Sequence, residues 1–210
     1  MKKWYVALFF ILVTIFAFQS QTNIPNSNDN NPTVNSLNVH DTNSAFFNPD
    51  SVKHAYVGAE NCGMCHKSEK QGNQLGIWKN QLHSKAYETL KTERADSIAK
   101  ALGFNTKAAE TSRCLQCHVS GRNVDAQFIK GKFKMEDGVQ CETCHGPGND
   151  YKSAKIMGNK EEAVKNGLWV YNDIEKELCV NCHNQNSPTF KGFDFEKMWN
   201  EIKHPIPGKK

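Results

Sequence analysis

The sequence has little of the apolar material from which an ordinary protein core is built. Hydrophobic residues make up 38% of its 210 residues and the mean hydropathy is −0.65, which is low for a fold whose interior is filled by side chains alone. Its one long apolar run, 4–18, is broken only by Thr14, so a polytopic membrane protein is excluded. We therefore expect something other than side chains to fill the interior.

The sequence also lacks a concentrated patch of positive charge. A formal net charge of +4 would by itself raise binding to nucleic acid or to an anionic membrane. No run of lysine or arginine is longer than two residues, so we predict no nucleic-acid partner.

Residues 1–20 are typical of a secretory signal peptide. Lys2 and Lys3 supply the positive end, the apolar run follows, and polar residues come after it. The run is shorter than the ~18–20 residues of a membrane span, and no cysteine near its end offers a lipoprotein site. We expect export to the periplasm or the extracellular space with cleavage near Ser20. The alternative is an uncleaved N-terminal anchor formed by residues 4–18.

The remaining chain divides into a linker and a folded domain. Residues 21–53 are rich in asparagine, serine and threonine without helical or strand periodicity, so a flexible linker is predicted there. Residues 54–210 are the predicted domain, mainly α with little β-structure. Its expected elements are an amphipathic helix at 73–91 carrying His83, a helix from Glu93 to Ala101, a small hairpin over 125–136 about Gly131, a helix at 160–166 and a last helix from Phe193 to His204.

All eight cysteines fall into four Cys-x-x-Cys pairs, and a histidine directly follows each pair. Cysteines at this spacing project from one helical turn and can form thioethers with the two vinyl groups of one porphyrin, while the next histidine can bind the iron. We therefore predict four covalently attached c-type haems, with short helices and loops wrapped around them. The residues involved are Cys62, Cys65 and His66; Cys114, Cys117 and His118; Cys141, Cys144 and His145; and Cys179, Cys182 and His183.

Three other interpretations compete with haem. The cysteines could form two four-cysteine zinc sites, disulfides in an exported chain, or a thioredoxin-like redox motif. None of these requires a histidine after the second cysteine, which this sequence has in all four pairs. The pattern therefore favours haem.

A six-coordinate haem needs a second axial ligand, and four histidines remain outside the motifs: His40, His54, His83 and His204. His83 lies on the predicted helix at 73–91 and His204 ends the last predicted helix, so both are predicted iron ligands. His54, eight residues before the first motif, is a further predicted ligand. His40 lies in the linker and is not expected to bind iron of its own chain.

Four stretches of the sequence contain or flank the motifs and the candidate histidine ligands. They are Tyr56 to Cys62, Trp78 to Leu90, Gly138 to Gly148, and Phe193 to His204. Together they resemble the cytochrome c-552/c-554 family of multihaem proteins, and the resemblance covers about 55–205. Similarity to the tetrahaem member of that family implies a crossed ligand pattern. His83 would bind the fourth haem opposite His183, and His204 would bind the third haem opposite His145.

The same resemblance supplies no distal histidine ligand for the first two haems. In the tetrahaem relative the second haem, which here would be on His118, is five-coordinate. The first haem there takes a histidine from the segment just after the third motif, and residues 149–157 of this sequence contain none. The alternatives for the first haem are His54, Met157, a lysine, or a histidine from a neighbouring molecule.

The leading functional hypothesis is an electron carrier that serves periplasmic or cell-surface redox partners. Roughly forty residues per haem cannot keep four macrocycles apart, and His/His ligation lacks the methionine that raises potential, so closely packed low-potential centres are expected. No separate acid–base constellation appears, and the motif variant with a lysine ligand that marks haem nitrite reductases is missing. Electron transfer is therefore favoured over catalysis.

Two alternatives remain at this point. One is a haem enzyme that reduces a small nitrogen or sulfur species, such as nitric oxide, at an open iron on His118. The other is a protomer of a polymeric haem wire, which requires self-association. Peripheral or N-terminal membrane attachment is compatible with each of these functions.

Overall fold

The computed structural model describes residues 53–170 and 175–206. The predicted signal peptide at 1–20, His40, and all but the last residue of the linker at 21–53 lie outside the described residues. The described part is mainly α-helical and contains no β-sheet, which confirms the predicted fold class. Its only β-type pairing is an isolated parallel bridge between Tyr56 and Ile129.

The helices of the described part are short, none being longer than nine residues. α1, α5 and α6 each end on a motif histidine, and α9 carries the first cysteine of the fourth motif. No helix among the described residues is long and apolar enough to cross a membrane. The α-helices are α1 (Ala59–His66), α2 (Gln74–Asn80), α3 (Ala86–Leu90), α4 (Glu93–Ala101), α5 (Ser112–His118), α6 (Cys141–His145), α7 (Ala154–Met157), α8 (Lys160–Lys165), α9 (Glu175–Val180) and α10 (Phe195–Ile202).

The prediction of one continuous helix over 73–91 is wrong, because the chain breaks at Gln81, which is extended (φ −93°, ψ 161°). A 3-10 turn over Leu82–Lys85 then precedes α3. The Ser84 hydroxyl donates to the carbonyl of Gln81 at 2.8 Å, and the carbonyl of His83 accepts the amide of a distant loop at 3.0 Å. These bonds use carbonyls that a continuous helix would need. The break therefore places His83 on a turn between two helices.

The hairpin predicted over 125–136 about Gly131 is also wrong. This segment pairs with the start of the domain rather than with itself. The amide of Tyr56 donates to the carbonyl of Phe128 at 2.7 Å, and the amide of Lys130 donates to the carbonyl of Tyr56 at 2.8 Å. The backbone groups that a hairpin would use are thus taken by a distant partner.

Three of the predicted helices are present. α4 has its predicted bounds, and the side chain of Thr92 caps it by accepting a backbone amide at 3.2 Å. α8 matches the prediction at 160–166 to within one residue. The helix predicted from Phe193 to His204 is shorter, because Asp194 caps the start of α10 and the helix ends two residues before the histidine.

Buried apolar side chains are few in the described part of the chain. One small cluster forms around Leu90 with two alanines. The largest fully buried side chains are Gln140, Glu142 and Val57, two of which are polar. α10 is amphipathic, yet none of its side chains is buried. The chain therefore presents apolar surfaces that its own side chains do not cover.

Candidate haem-binding site

His83 and His183 face each other in the folded chain. Their ring centroids lie 6.0 Å apart, with the ring planes at 61°. The ring of Phe193 stacks on the ring of His183, with centroids 5.1 Å apart. Burial lowers the pKa of both imidazoles, and the charge of His183 lowers that of His83 further. The neutral form, which binds metals, is therefore favoured.

His145 and His204 form a second pair of the same kind. Their ring centroids lie 5.8 Å apart. His145 ends α6, and His204 follows α10. Burial, and then the charges of His204 and His66, lower the pKa of His145 to about 4. The pair thus joins a motif histidine to one from the C-terminal end of the described chain.

The spacing of both pairs fits two axial ligands of one ion. A metal–imidazole bond is about 2.0–2.1 Å long, so two imidazoles on opposite sides of an ion have centroids about 6 Å apart. The observed separations are 6.0 and 5.8 Å. The half-buried apolar face of α10, which precedes His204 of the second pair, fits contact with a large flat apolar group. The residues present therefore fit haem.

The cysteines are reduced and bind no group in the structure. All eight are free thiols in the structure, and none forms a disulfide. Within 53–170 and 175–206, no three or more histidine, cysteine, aspartate or glutamate side chains are grouped to hold a bare metal ion.

Thiols of different motifs perturb one another's pKa. The contact with Cys141, followed by burial, raises the pKa of Cys62, while the same contact lowers that of Cys141. The contact with Cys182 lowers the pKa of Cys117 to about 7 and raises that of its partner. The first motif therefore lies beside the third, and the second beside the fourth.

His118 is held by a backbone group. Its Nδ1 lies 2.8 Å from the carbonyl oxygen of Ala86 in α3. If Nδ1 carries the proton and donates it, Nε2 is left with the lone pair that binds a metal. Among the described residues, the two histidine pairs above are the only contacts between histidine rings, so no such ring faces His118 or His66.

His54 lies beside the segment that follows the third motif. Its Nδ1 is 2.6 Å from Oδ2 of Asp150. The other predicted alternative from the chain, Met157, ends α7 and is half-buried. The structure thus gives His54 a carboxylate partner.

Glu142 is a residue that sequence analysis does not single out. Its carboxylate, within the third motif, is fully buried and accepts the amides of Val57, Gly58 and Gly148 at 2.7–3.1 Å. Burial raises the pKa of Glu142, and the three amides offset part of that effect. The side chain ties the segment before the first motif to the third. Its position between two cysteines was the only signal in the sequence.

Comparison with known proteins finds similarity to c-type cytochromes. Residues 61–146, which contain the first three motifs, match the family model described as cytochrome c554 and c-prime. This part of the chain is therefore similar to that family. The chain is also similar to cytochrome c-554 of Nitrosomonas europaea, with 28% identity over 181 residues, covering 70% of this chain and 73% of the relative. No solved structure matches it.

This similarity has direct consequences for the cofactor and the function. A c-type cytochrome binds haem covalently and transfers electrons. The similarity therefore supports covalently bound c-type haem and electron exchange with redox partner proteins in general.

Proposed function

We propose that the chain is an exported tetrahaem cytochrome that passes electrons through closely packed, low-potential haems between periplasmic or cell-surface redox partners. The observation that carries the proposal is the presence of two histidine pairs at ligand spacing. Each pair joins a motif histidine to a histidine from another part of the chain, His183 to His83 and His145 to His204. Bound haem supplies a one-electron couple at its iron.

The chain's own residues have distinct roles in this proposal. The eight motif cysteines tether the haems through thioethers, and His66, His118, His145 and His183 are the proximal ligands. His83 and His204 are the distal ligands of the fourth and third haems. The hydrogen bond from His118 to a backbone carbonyl is the kind of second contact that fixes the orientation of a metal-binding histidine.

Contacts between motifs support transfer from haem to haem. The first and third motifs meet through Cys62 and Cys141, and the second and fourth through Cys117 and Cys182. Glu142 of the third motif also accepts the amides of Val57 and Gly58, directly before the first motif, so haems on these two motifs would lie close together. Histidine on both sides of the iron, without methionine, favours low potentials.

The proposal also assigns the parts of the chain. Residues 1–20 direct export as a signal peptide or N-terminal anchor, residues 21–53 are a linker, and residues 54–210 form the tetrahaem domain. The composition of these segments supports the assignment.

Haem counting tests the proposal. The pyridine haemochrome assay and the intact mass of the exported holoprotein are expected to give four haems per chain. Replacing Cys62 and Cys65 together by alanine should reduce the count to three. Met64→Ala, which changes an exposed side chain of the same motif, should leave it at four. Three or fewer haems in the wild-type protein would contradict the proposal.

A second candidate function is reduction of a small molecule at the haem on His118. The observation that favours it is that His118 is oriented from one side by a backbone carbonyl, while no histidine ring faces it among the described residues. Electron paramagnetic resonance of the oxidised protein, followed by titration with nitric oxide, separates the two functions. A high-spin ferric signal that binds the gas favours this candidate. Four low-spin haems that ignore the gas would exclude it.

A further inference from the structure

We propose that three polar side chains, those of Ser120, Gln140 and Thr143, are positioning residues for electron transfer from haem to haem. Their hydrogen bonds hold the first and second motifs in place against the third. The inference rests on the proposed function, because it requires a haem on each of these motifs. None of the three residues is a proposed iron ligand or haem tether, so each acts through the polypeptide that carries the haems.

Gln140 holds the start of the first motif's helix. It directly precedes Cys141 and is 2% exposed. Its Oε1 accepts the amide of Ala59 at 2.8 Å, and its Nε2 donates to the carbonyl of Lys134 at 2.7 Å. Ala59 is the first residue of α1, and an amide at the start of a helix has no partner within that helix. Gln140 therefore fixes the helix that carries the first motif against the start of the third motif.

Ser120 holds the backbone that follows the second motif. It lies two residues after His118 and is 2% exposed. Its hydroxyl accepts the amide of Gln140 at 2.7 Å. The same hydroxyl shares a short hydrogen bond with the hydroxyl of Thr143, which lies between the two cysteines of the third motif. The amide of Ser120 donates to the carbonyl of Gly138 at 3.0 Å, so the chain after the second motif is bound both to the third motif and to the residues just before it.

The same short segment, residues 138–143, also holds the turn that carries His83. The amide of Val139 donates to the carbonyl of His83 at 3.0 Å, and the indole Nε1 of Trp78 donates to the carbonyl of Val139 at 2.8 Å. His83 is the proposed distal ligand of the fourth haem. Residues 138–143 therefore contact or contain a part of the chain that belongs to each of the four proposed haem sites.

Polar bonds have a large part in fixing the motifs, because the described part of the chain has few buried apolar side chains. Both polar atoms of the Gln140 side chain and the hydroxyl of Ser120 have partners. A buried polar network that is satisfied in this way rigidifies a structure and specifies one arrangement. Thioethers and a proximal histidine would fix each haem to its own motif, so a shift between motif backbones would change the distance between haems. Electron transfer slows steeply with that distance, and these side chains therefore control a rate as well as stability.

The test compares variants of the full holoprotein. A laser-flash photoreductant delivers one electron to the oxidised protein, and absorbance follows the redistribution of that electron among the haems. The variants are Ser120→Ala, Gln140→Leu and Thr143→Val. For each we expect four haems by pyridine haemochrome, an unchanged number of low-spin haems by electron paramagnetic resonance, and redistribution slowed severalfold. In a redox titration the midpoint potential of at least one haem should shift, because iron charges interact differently when their separation changes.

Two further variants separate positioning from stability. Thr143→Ser keeps the hydroxyl that bonds to Ser120 and should retain the wild-type rate and potentials. Thr92→Ala is the matched control, because it removes a buffering contact of the same kind, a hydroxyl that caps α4, outside the motifs. It should lose stability in chemical unfolding without slowing redistribution.

Wild-type rates and potentials in Ser120→Ala, Gln140→Leu and Thr143→Val would overturn the inference and leave the tetrahaem proposal intact. If Ser120→Ala yields no holoprotein, the two Thr143 variants decide, and equal rates in Thr143→Val and Thr143→Ser would overturn the inference. Slowing in Thr92→Ala as large as in Ser120→Ala would overturn it too, because the rate would then follow stability alone. Fewer than four haems in the wild-type protein would contradict the proposed function itself.

Discussion

Glu142→Gln should destabilise the holoprotein by about 3 kcal/mol. Oε1 accepts the amides of Gly148 at 2.7 Å and Val57 at 2.9 Å, and Oε2 accepts those of Gly58 at 2.8 Å and Val57 at 3.1 Å. Glutamine has one oxygen, so its NH₂ group must face an amide donor on the other side. An unpaired buried donor costs about 1–3 kcal/mol, and each remaining bond loses about 1 kcal/mol when the acceptor is no longer charged. Relief from burying a charge offsets part of this loss.

Guanidinium unfolding of the holoprotein at neutral pH, followed by far-UV circular dichroism, measures the difference. Glu110→Gln is the matched control, because it makes the same change on an exposed side chain and should stay within about 0.5 kcal/mol of the wild-type protein. A loss below about 1 kcal/mol for Glu142→Gln would refute the reasoning, because the three amides would then have adequate alternative partners.

The pH dependence gives a second check on Glu142. Burial raises its pKa in the folded protein, so between its ordinary pKa and the raised value the folded state holds a proton that the unfolded state has lost. Stability from this group therefore falls as pH rises through that window. Glutamine does not titrate, so the stability of Glu142→Gln has no such dependence on pH. The difference in free energy of unfolding between the wild-type protein and Glu142→Gln should therefore become smaller as pH rises through this window. A free-energy difference that becomes larger there would contradict a raised pKa for Glu142.

Further predictions concern ligands, backbone and capping. His83→Ala and His204→Ala should each convert one haem from low to high spin without changing the haem count, as measured by electron paramagnetic resonance and the pyridine haemochrome assay; unchanged spectra would reject the pairing. Gly58→Ala should lower the melting temperature far more than Gly103→Ala, because both have positive φ but only at Gly58 would a Cβ meet backbone, at 2.6 Å; equal effects would show that φ alone matters. Thr92→Ala should cost about 1 kcal/mol in chemical unfolding through loss of the α4 cap, and Thr92→Ser should recover most of it.

Elements controlled by local chemistry could be predicted from the sequence. α4 follows from its capping threonine and amphipathic pattern, and its bounds were predictable to the residue. The haem motifs follow from bonding requirements that act within five residues. Residue spacing also singled out His83 and His204, although their partners in the crossed pattern came from the family resemblance.

Elements controlled by distant partners could not be predicted in this way. The helix at 73–91 looks continuous because its apolar spacing is regular, and the bonds that break it involve a loop far along the chain. The segment at 125–136 has hairpin-like alternation, yet its amides pair with Tyr56. Glu142 sits at a motif position with no haem chemistry, and its three amide partners come from two separate segments. Local pattern holds no information about such partners.

The contacts between thiols of different motifs make the order of events during maturation critical. In an oxidising compartment, two thiols as close as those of Cys62 and Cys141 can give up two electrons and two protons to an oxidant and become a disulfide. That bond would take one sulfur from each of two haem tethers at once, and the pair formed by Cys117 and Cys182 would do the same to the other two. On the proposed assignment as an exported tetrahaem protein, the chain would therefore need to stay reduced until its haems are attached.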